Sequence, residues 1–179
     1  MSAPRVKPPC GRGSDPIASS ALAHQPDTLL AFLKLYGTLW SHGVVDQATK
    51  ELARIRNART IDCTICKSIR FEGARKAGLS EELVEQIRDG FETSALSPRH
   101  KAVLRWTDRF LSGEPEPSAE QRSEMLAFFT PAELVELTAG LALFMGFSKI
   151  AVSLGGMPES LPVNVQPTPD WPPATSGAA

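Results

Sequence analysis

The 179-residue chain has no charge of one sign to spare. Its 19 lysines and arginines stand against 20 aspartates and glutamates, a net charge of −1. That balance leaves no global field to gather a nucleic acid or an anionic membrane surface. Cysteine is scarce too: Cys10, Cys63 and Cys66 are an odd number and too few for a disulfide framework. Histidine is limited to His24, His42 and His100. A structural zinc site needs roughly four ligands, and nothing supplies a second ligand pair beside the two nearby cysteines, so no metal is expected. The opening MSAPRVKPPCGRG has no apolar stretch that could serve as a signal-peptide core, and no segment is read as a membrane span. The expectation is a cytoplasmic protein. Repeated β-branched alternation is also missing, which argues against a sheet and against a thioredoxin domain around the cysteine pair.

Proline is thin in the middle of the chain. Of 15 prolines, four fall in residues 1–16 and six in residues 158–179. The reading is a flexible N-terminal segment (1–16), a helical domain (17–157) and a Pro-rich tail (158–179) that is extended or disordered. Trp171 is the one residue there that suggests docking. Between these ends, helical periods and stop signals alternate. Pro26 precedes a face of Leu29, Leu30, Phe32, Leu33, Tyr36 and Trp40. Asp46 can cap a helix carrying Ala48, Leu52 and Ile55. A third helix is expected from about Asp62 to Gly78, a good residue just past a helix end. Ser80 and Ser97-Pro98 start two more helices, and Ser118-x-x-Gln121 and Thr130-Pro131-x-Glu133 are capping boxes. The last helix, to about Leu154, is apolar on nearly every face in its second half, which suggests burial between subunits.

Cys63-Thr64-Ile65-Cys66 is the one sharp chemical signal. Two cysteines three apart at a helix start share a face and can form a disulfide. With Asp62 as N-cap, Cys63 is the first helical residue, where the helix dipole favours a thiolate and Asp62 opposes it. Glu51 falls within the apolar arc of its helix, between Ala58 and Ile55. Such a carboxylate is either held neutral near pH 7, which suits proton transfer, or paired with Arg54 or Arg59. Arg70, four residues after Cys66 on the expected helical face, could hold a thiolate by charge but is far too weak an acid to act as a base.

The run from Glu51 through Ser80 resembles the alkylhydroperoxidase D-like (AhpD-like) members of the carboxymuconolactone decarboxylase family. Those proteins carry a glutamate, a CxxC whose first cysteine lies twelve positions later, and a helix ending A-x-x-x-G-L-S, here Ala74, Gly78, Leu79 and Ser80. The likeness extends more weakly over about residues 25–155. It implies an all-α AhpD-like compact bundle of about seven to eight helices with no sheet, assembled as a homotrimer or homohexamer. It also implies thiol-dependent peroxidase or disulfide oxidoreductase activity without a bound cofactor, the electrons coming from an external thiol or protein dithiol reductant. By resemblance Cys66 attacks the peroxide, Cys63 closes the disulfide and Glu51 leads a proton relay. The family histidine four residues after the second cysteine is Arg70 here, so that relay lacks an imidazole link. His42 or His24, from the entry helices, is a candidate to reach the site in its place.

Two other readings stand beside this one. A lyase of the decarboxylase type would use Glu51 as acid or base, with Arg70 or Arg54 holding a substrate carboxylate. A non-catalytic oligomer would use the dithiol as a redox sensor.

Overall fold

The computed structural model describes residues 3–9, 16–114 and 116–172; Cys10 lies outside them. Among the described residues eight α-helices form the body: α1 (Pro26–Ser41), α2 (Gln47–Ile61), α3 (Thr64–Ser68), α4 (Glu72–Lys76), α5 (Glu81–Glu85), α6 (Pro98–Leu111), α7 (Ala119–Phe128) and α8 (Pro131–Leu154). The expected caps start them. Asp46 accepts the Thr49 N–H at 2.8 Å, Ser80 and Ser97 cap α5 and α6, and both capping boxes are closed. Each such cap stabilises its helix by about 1 kcal/mol. Gly78 and Gly113 follow α4 and α6 at φ of 97° and 79°, a left-handed backbone that glycine adopts without steric cost.

The most buried element, α2, is polar in composition. Leu52, Ile55 and Ala58 pack as expected, but Lys50, Glu51, Arg54 and Asn57 are buried with them. Charges survive there only because each is paired. Lys50 Nζ lies 2.6 Å from Glu136 of α8 and donates to the Leu39 carbonyl, tying the end of α1 to the bundle. Around α2 the core divides by neighbour. Leu52 and Ile55 meet Val84, Ile87, Phe91 and Leu104, whereas Ala53 shares a cluster with Val103, Met125, Leu137 and Leu141. Tyr36 and Trp40 of α1 close the third side against Phe144 of α8.

The expected helix from Asp62 to Gly78 is broken. Asp62 takes a left-handed φ of 59° and closes α2, α3 is a single turn, and Ile69–Phe71 form a strand, β1. The cause is competition for backbone groups. In a continuous helix the carbonyls of Cys66 and Ile69 would accept from residues 70 and 73. Here both accept from the Arg54 guanidinium, at 2.7 and 2.6 Å, and the Gly73 N–H donates instead to Thr168 Oγ1 at 2.8 Å. Strand β1 pairs in parallel with β2 (Asn164–Gln166), Ile69 opposite Asn164 and Phe71 opposite Gln166. This short pair corrects the expectation of no sheet; the architecture is otherwise helical.

Residues 158–172 therefore lie along the body. Ser41 Oγ donates to the Pro169 carbonyl, and His42 Nε2 lies 2.8 Å from Asp170 Oδ1. Gly37 makes room for this course: a Cβ there would collide with the backbone of Asp170 and Trp171. Helix α8 is 24 residues long with a mean hydropathy of 1.7 over 18 of them, so by length and composition it could cross a membrane. That is closer to a span than the sequence reading allowed. In the fold its inner face, Leu137, Leu141, Phe144 and Phe147, is core, while Val135 is 69% exposed and Met145, Ile150 and Val152 are half-buried.

Candidate active site

Cys63 and Cys66 are joined in a disulfide with Cα atoms 5.2 Å apart. The turn that brings them together is α3, whose N-cap is Cys63 itself rather than Asp62; its sulfur accepts the Cys66 N–H at 3.3 Å. Both cysteines are buried, in a cluster with Ala58 of α2. Ile65, Ala151 and Val152 pack over them, with Met157 from the chain just past α8. The end of α8 is held from outside by the N-terminal segment, where Val6 N–H and Arg5 Nη1 donate to the carbonyls of Leu154 and Ser153 at 2.9 and 2.8 Å.

Glu51 and Arg54 form a fully buried ion pair behind the disulfide. Arg54 Nε donates to both Glu51 oxygens, at 2.8 and 3.0 Å, and Nη2 donates to Oε2 at 2.7 Å. The remaining donors take the Cys66 and Ile69 carbonyls, so one guanidinium carries the carboxylate and fixes the backbone of the cysteine turn. Phe71 and Phe144 lie against its faces, with Arg54 Cζ 5.1 and 5.5 Å from the ring centres. Burial works to deprotonate Arg54, but the Glu51 carboxylate outweighs it and the pKa is raised. Of the two sequence readings of Glu51, the ion pair with Arg54 is the one the structure holds.

Arg70 and His42 lie elsewhere. Arg70 is on β1, where its Nε and Nη2 each donate to Glu81 at 3.0 Å and its Nη1 to the carbonyls of Lys67 and Ile69. The strand has taken it off the helical face shared with the cysteines. His42 is exposed at the end of α1 and binds Asp170 and the Trp171 carbonyl of the tail. Among the described residues no three of His, Cys, Asp and Glu gather as metal ligands.

Two residues at the sulfur went unnoticed in the sequence. Ser148 of α8 donates to Cys66 Sγ at 3.6 Å, and Asn57 Nδ2 donates to Ser148 Oγ at 3.3 Å. A hydroxyl in the apolar half of α8 was the available signal for Ser148. Asn57 had none, since on the wheel it lies opposite the arc of Ala48, Leu52 and Ile55; it is buried because α2 is packed on its other side as well.

The profile of the carboxymuconolactone decarboxylase family matches residues 26–109. Two uncharacterized proteins of Mycobacterium tuberculosis, from strains H37Rv and CDC 1551, are each 38% identical over 112 residues, covering 62% of this chain and 39% of the relative. The match thus spans about two fifths of those relatives' length. Among solved structures, a protein of unknown function from Agrobacterium tumefaciens, proposed to be the antioxidant-defence protein AhpD, aligns with a TM-score of 0.64 at 21% identity, covering 76% of this chain and 94% of that one. An uncharacterized peroxidase-related protein with an AhpD core from Ralstonia eutropha aligns at 0.67 and 19%, covering 77% and 74%. A cysteine-to-alanine variant of the debrominase Bmp8, in complex with 2,3,4-tribromopyrrole, aligns at 0.63 and 14%, covering 78% and 75%.

Proposed function

We propose that this chain, whose residues 26–109 match the carboxymuconolactone decarboxylase family and whose fold is AhpD-like, is a dithiol oxidoreductase reducing hydroperoxides. The observation that carries this reading is the buried Cys63–Cys66 disulfide, seated on the Glu51–Arg54 pair at the family's cysteine positions. Cys66 thiolate attacks the outer oxygen of the peroxide and the O–O bond breaks. The alkoxide leaves as an alcohol after taking a proton, and Cys66 is left as a sulfenic acid. Cys63 then attacks the Cys66 sulfur; the S–S bond forms and the hydroxyl leaves as water with the Cys63 proton. An external dithiol returns two electrons and two protons by exchange.

In this account Glu51 acts through Arg54. A carboxylate carrying a guanidinium on both oxygens is a poor proton carrier but a good anchor, and what it anchors is the turn holding both sulfurs. The lyase reading draws no support from such a carboxylate. Substrate reaches the sulfurs by displacing Met157 and its neighbours. The outward apolar residues of α8 supply the contact for a homotrimer or homohexamer. The test is turnover of an organic hydroperoxide coupled to a dithiol reductant. Activity should vanish in both Cys63→Ser and Cys66→Ser; activity unchanged in either would refute the reading.

A further inference from the structure

Buried hydroxyls on helices usually donate back to the carbonyl four residues earlier. Buried Thr107 and half-buried Thr138 do so here, each at 2.8 Å, to the carbonyls of Val103 and Leu134. Ser148, buried on α8, does not: its Oγ turns to the Cys66 sulfur. Behind it Asn57, equally buried on α2, donates its amide N–H to the same Oγ, and Asn57 Oδ1 has no hydrogen-bond partner among the described residues. Leaving a buried amide oxygen unpaired costs about 1–3 kcal/mol, so this geometry is not the cheapest way to fill the core.

We propose that Asn57 and Ser148 form a two-step donor chain that stabilises the Cys66 thiolate of the reduced protein and so makes Cys66, not Cys63, the attacking sulfur. The inference rests on the dithiol reading above. Its direction follows from the donors. The Asn57 amide occupies a lone pair of Ser148, which leaves the hydroxyl proton for Cys66. Toward a disulfide sulfur that contact is weak; toward a thiolate it is a charge-assisted hydrogen bond. Among the described residues Cys63 receives only the Cys66 backbone N–H. Arg70, occupied by Glu81, supplies nothing to either sulfur, and α8 takes over the task from across the bundle. Ser148 and Asn57 are positioning residues, since each acts on peroxide only through the state of Cys66.

The test uses the full chain with Cys10→Ser and Cys63→Ala, leaving Cys66 as its one thiol, and titrates thiolate absorbance at 240 nm against pH. Burial among apolar side chains would by itself place the Cys66 pKa above the free-thiol value of about 8.5. The donor chain is expected to place it below. Ser148→Ala should raise it by about one unit or more, the worth of one hydrogen bond to a charged group. Ser148→Thr, which keeps the hydroxyl, should restore most of that shift. In the dithiol protein above the thiol pKa, Ser148→Ala should also move the glutathione equilibrium toward the disulfide by about tenfold or more, because it is the reduced form that loses the stronger contact. A Cys66 pKa at or above about 8.5 in the parent overturns the proposal, even should the Ser148 variants fail to fold. A folded Ser148→Ala with an unchanged titration does the same. Neither readout involves peroxide. A lowered Cys66 pKa in a protein that ignores peroxides would therefore remove the peroxidase reading and leave the donor chain in place.

Discussion

Replacing Glu51 by glutamine keeps the size of the side chain and removes its charge, which leaves the Arg54 guanidinium buried without a counter-ion. Arg54 is 1% exposed and Glu51 wholly buried, so solvent screens neither. Breaking a buried pair on one side costs about 3–5 kcal/mol. The Cys66 and Ile69 carbonyls and the two aromatic faces still hold the cation, which places Glu51→Gln near the lower end, at about 3 kcal/mol. For a domain of this size the melting temperature should fall by about 6–12 °C. Arg54→Met should cost more, because it strands the carboxylate and also leaves two carbonyls without donors. The double variant should be no worse than Arg54→Met alone, giving a coupling of about 3 kcal/mol of the kind seen for groups in one network. Urea unfolding of the four oxidised proteins measures all three differences. Additivity within about 0.5 kcal/mol, or a Glu51→Gln loss under about 1 kcal/mol, would refute the view that these residues act as one unit.

Further outcomes follow from other contacts. Arg70→His should not raise peroxide turnover, because β1 aims this position at Glu81 and not at the sulfurs; a marked gain would mean that the strand is not the working conformation. Gly37→Ala should release residues 169–171 from α1, read as a red-shifted and more quenchable Trp171 emission, although alanine favours the helix itself by about 1 kcal/mol. Burial would raise the Asp46 pKa, but hydrogen bonds from Arg99 and Thr49 outweigh it and the pKa is lowered from 3.8. A lowered carboxyl pKa stabilises the fold above the unfolded value and loses that contribution as pH falls through the folded one. Asp46→Ala should thus cost about 1 kcal/mol at pH 7 through the lost cap, and the difference from wild type should shrink below about pH 4.

Most of the helical frame was legible because its signals are local. Asp46, Ser80, Ser97, Ser118 and Thr130 begin helices through bonds spanning three residues, and Gly78 follows the end of one through its own φ. Cys63 and Cys66 were readable for the same reason, and the wheel position of Glu51 brought it down to two alternatives. The break at Ile69–Phe71 could not be read locally. It depends on Arg54 taking two carbonyls from fifteen and twelve residues away and on β2, nearly a hundred residues later. Ser148 and Asn57 were hidden likewise, being 91 positions apart. The wheel gives the face of each residue on its own helix, whereas their meeting at one sulfur is a product of packing between α2, α3 and α8.

The most direct measurement is a stopped-flow titration of the reduced protein, carrying Cys10→Ser, with an organic hydroperoxide, counting free thiols before and after. The account predicts rapid loss of two thiols per chain with one alcohol released, and no such phase in Cys66→Ser. Thiols that remain free for minutes in excess peroxide would contradict it.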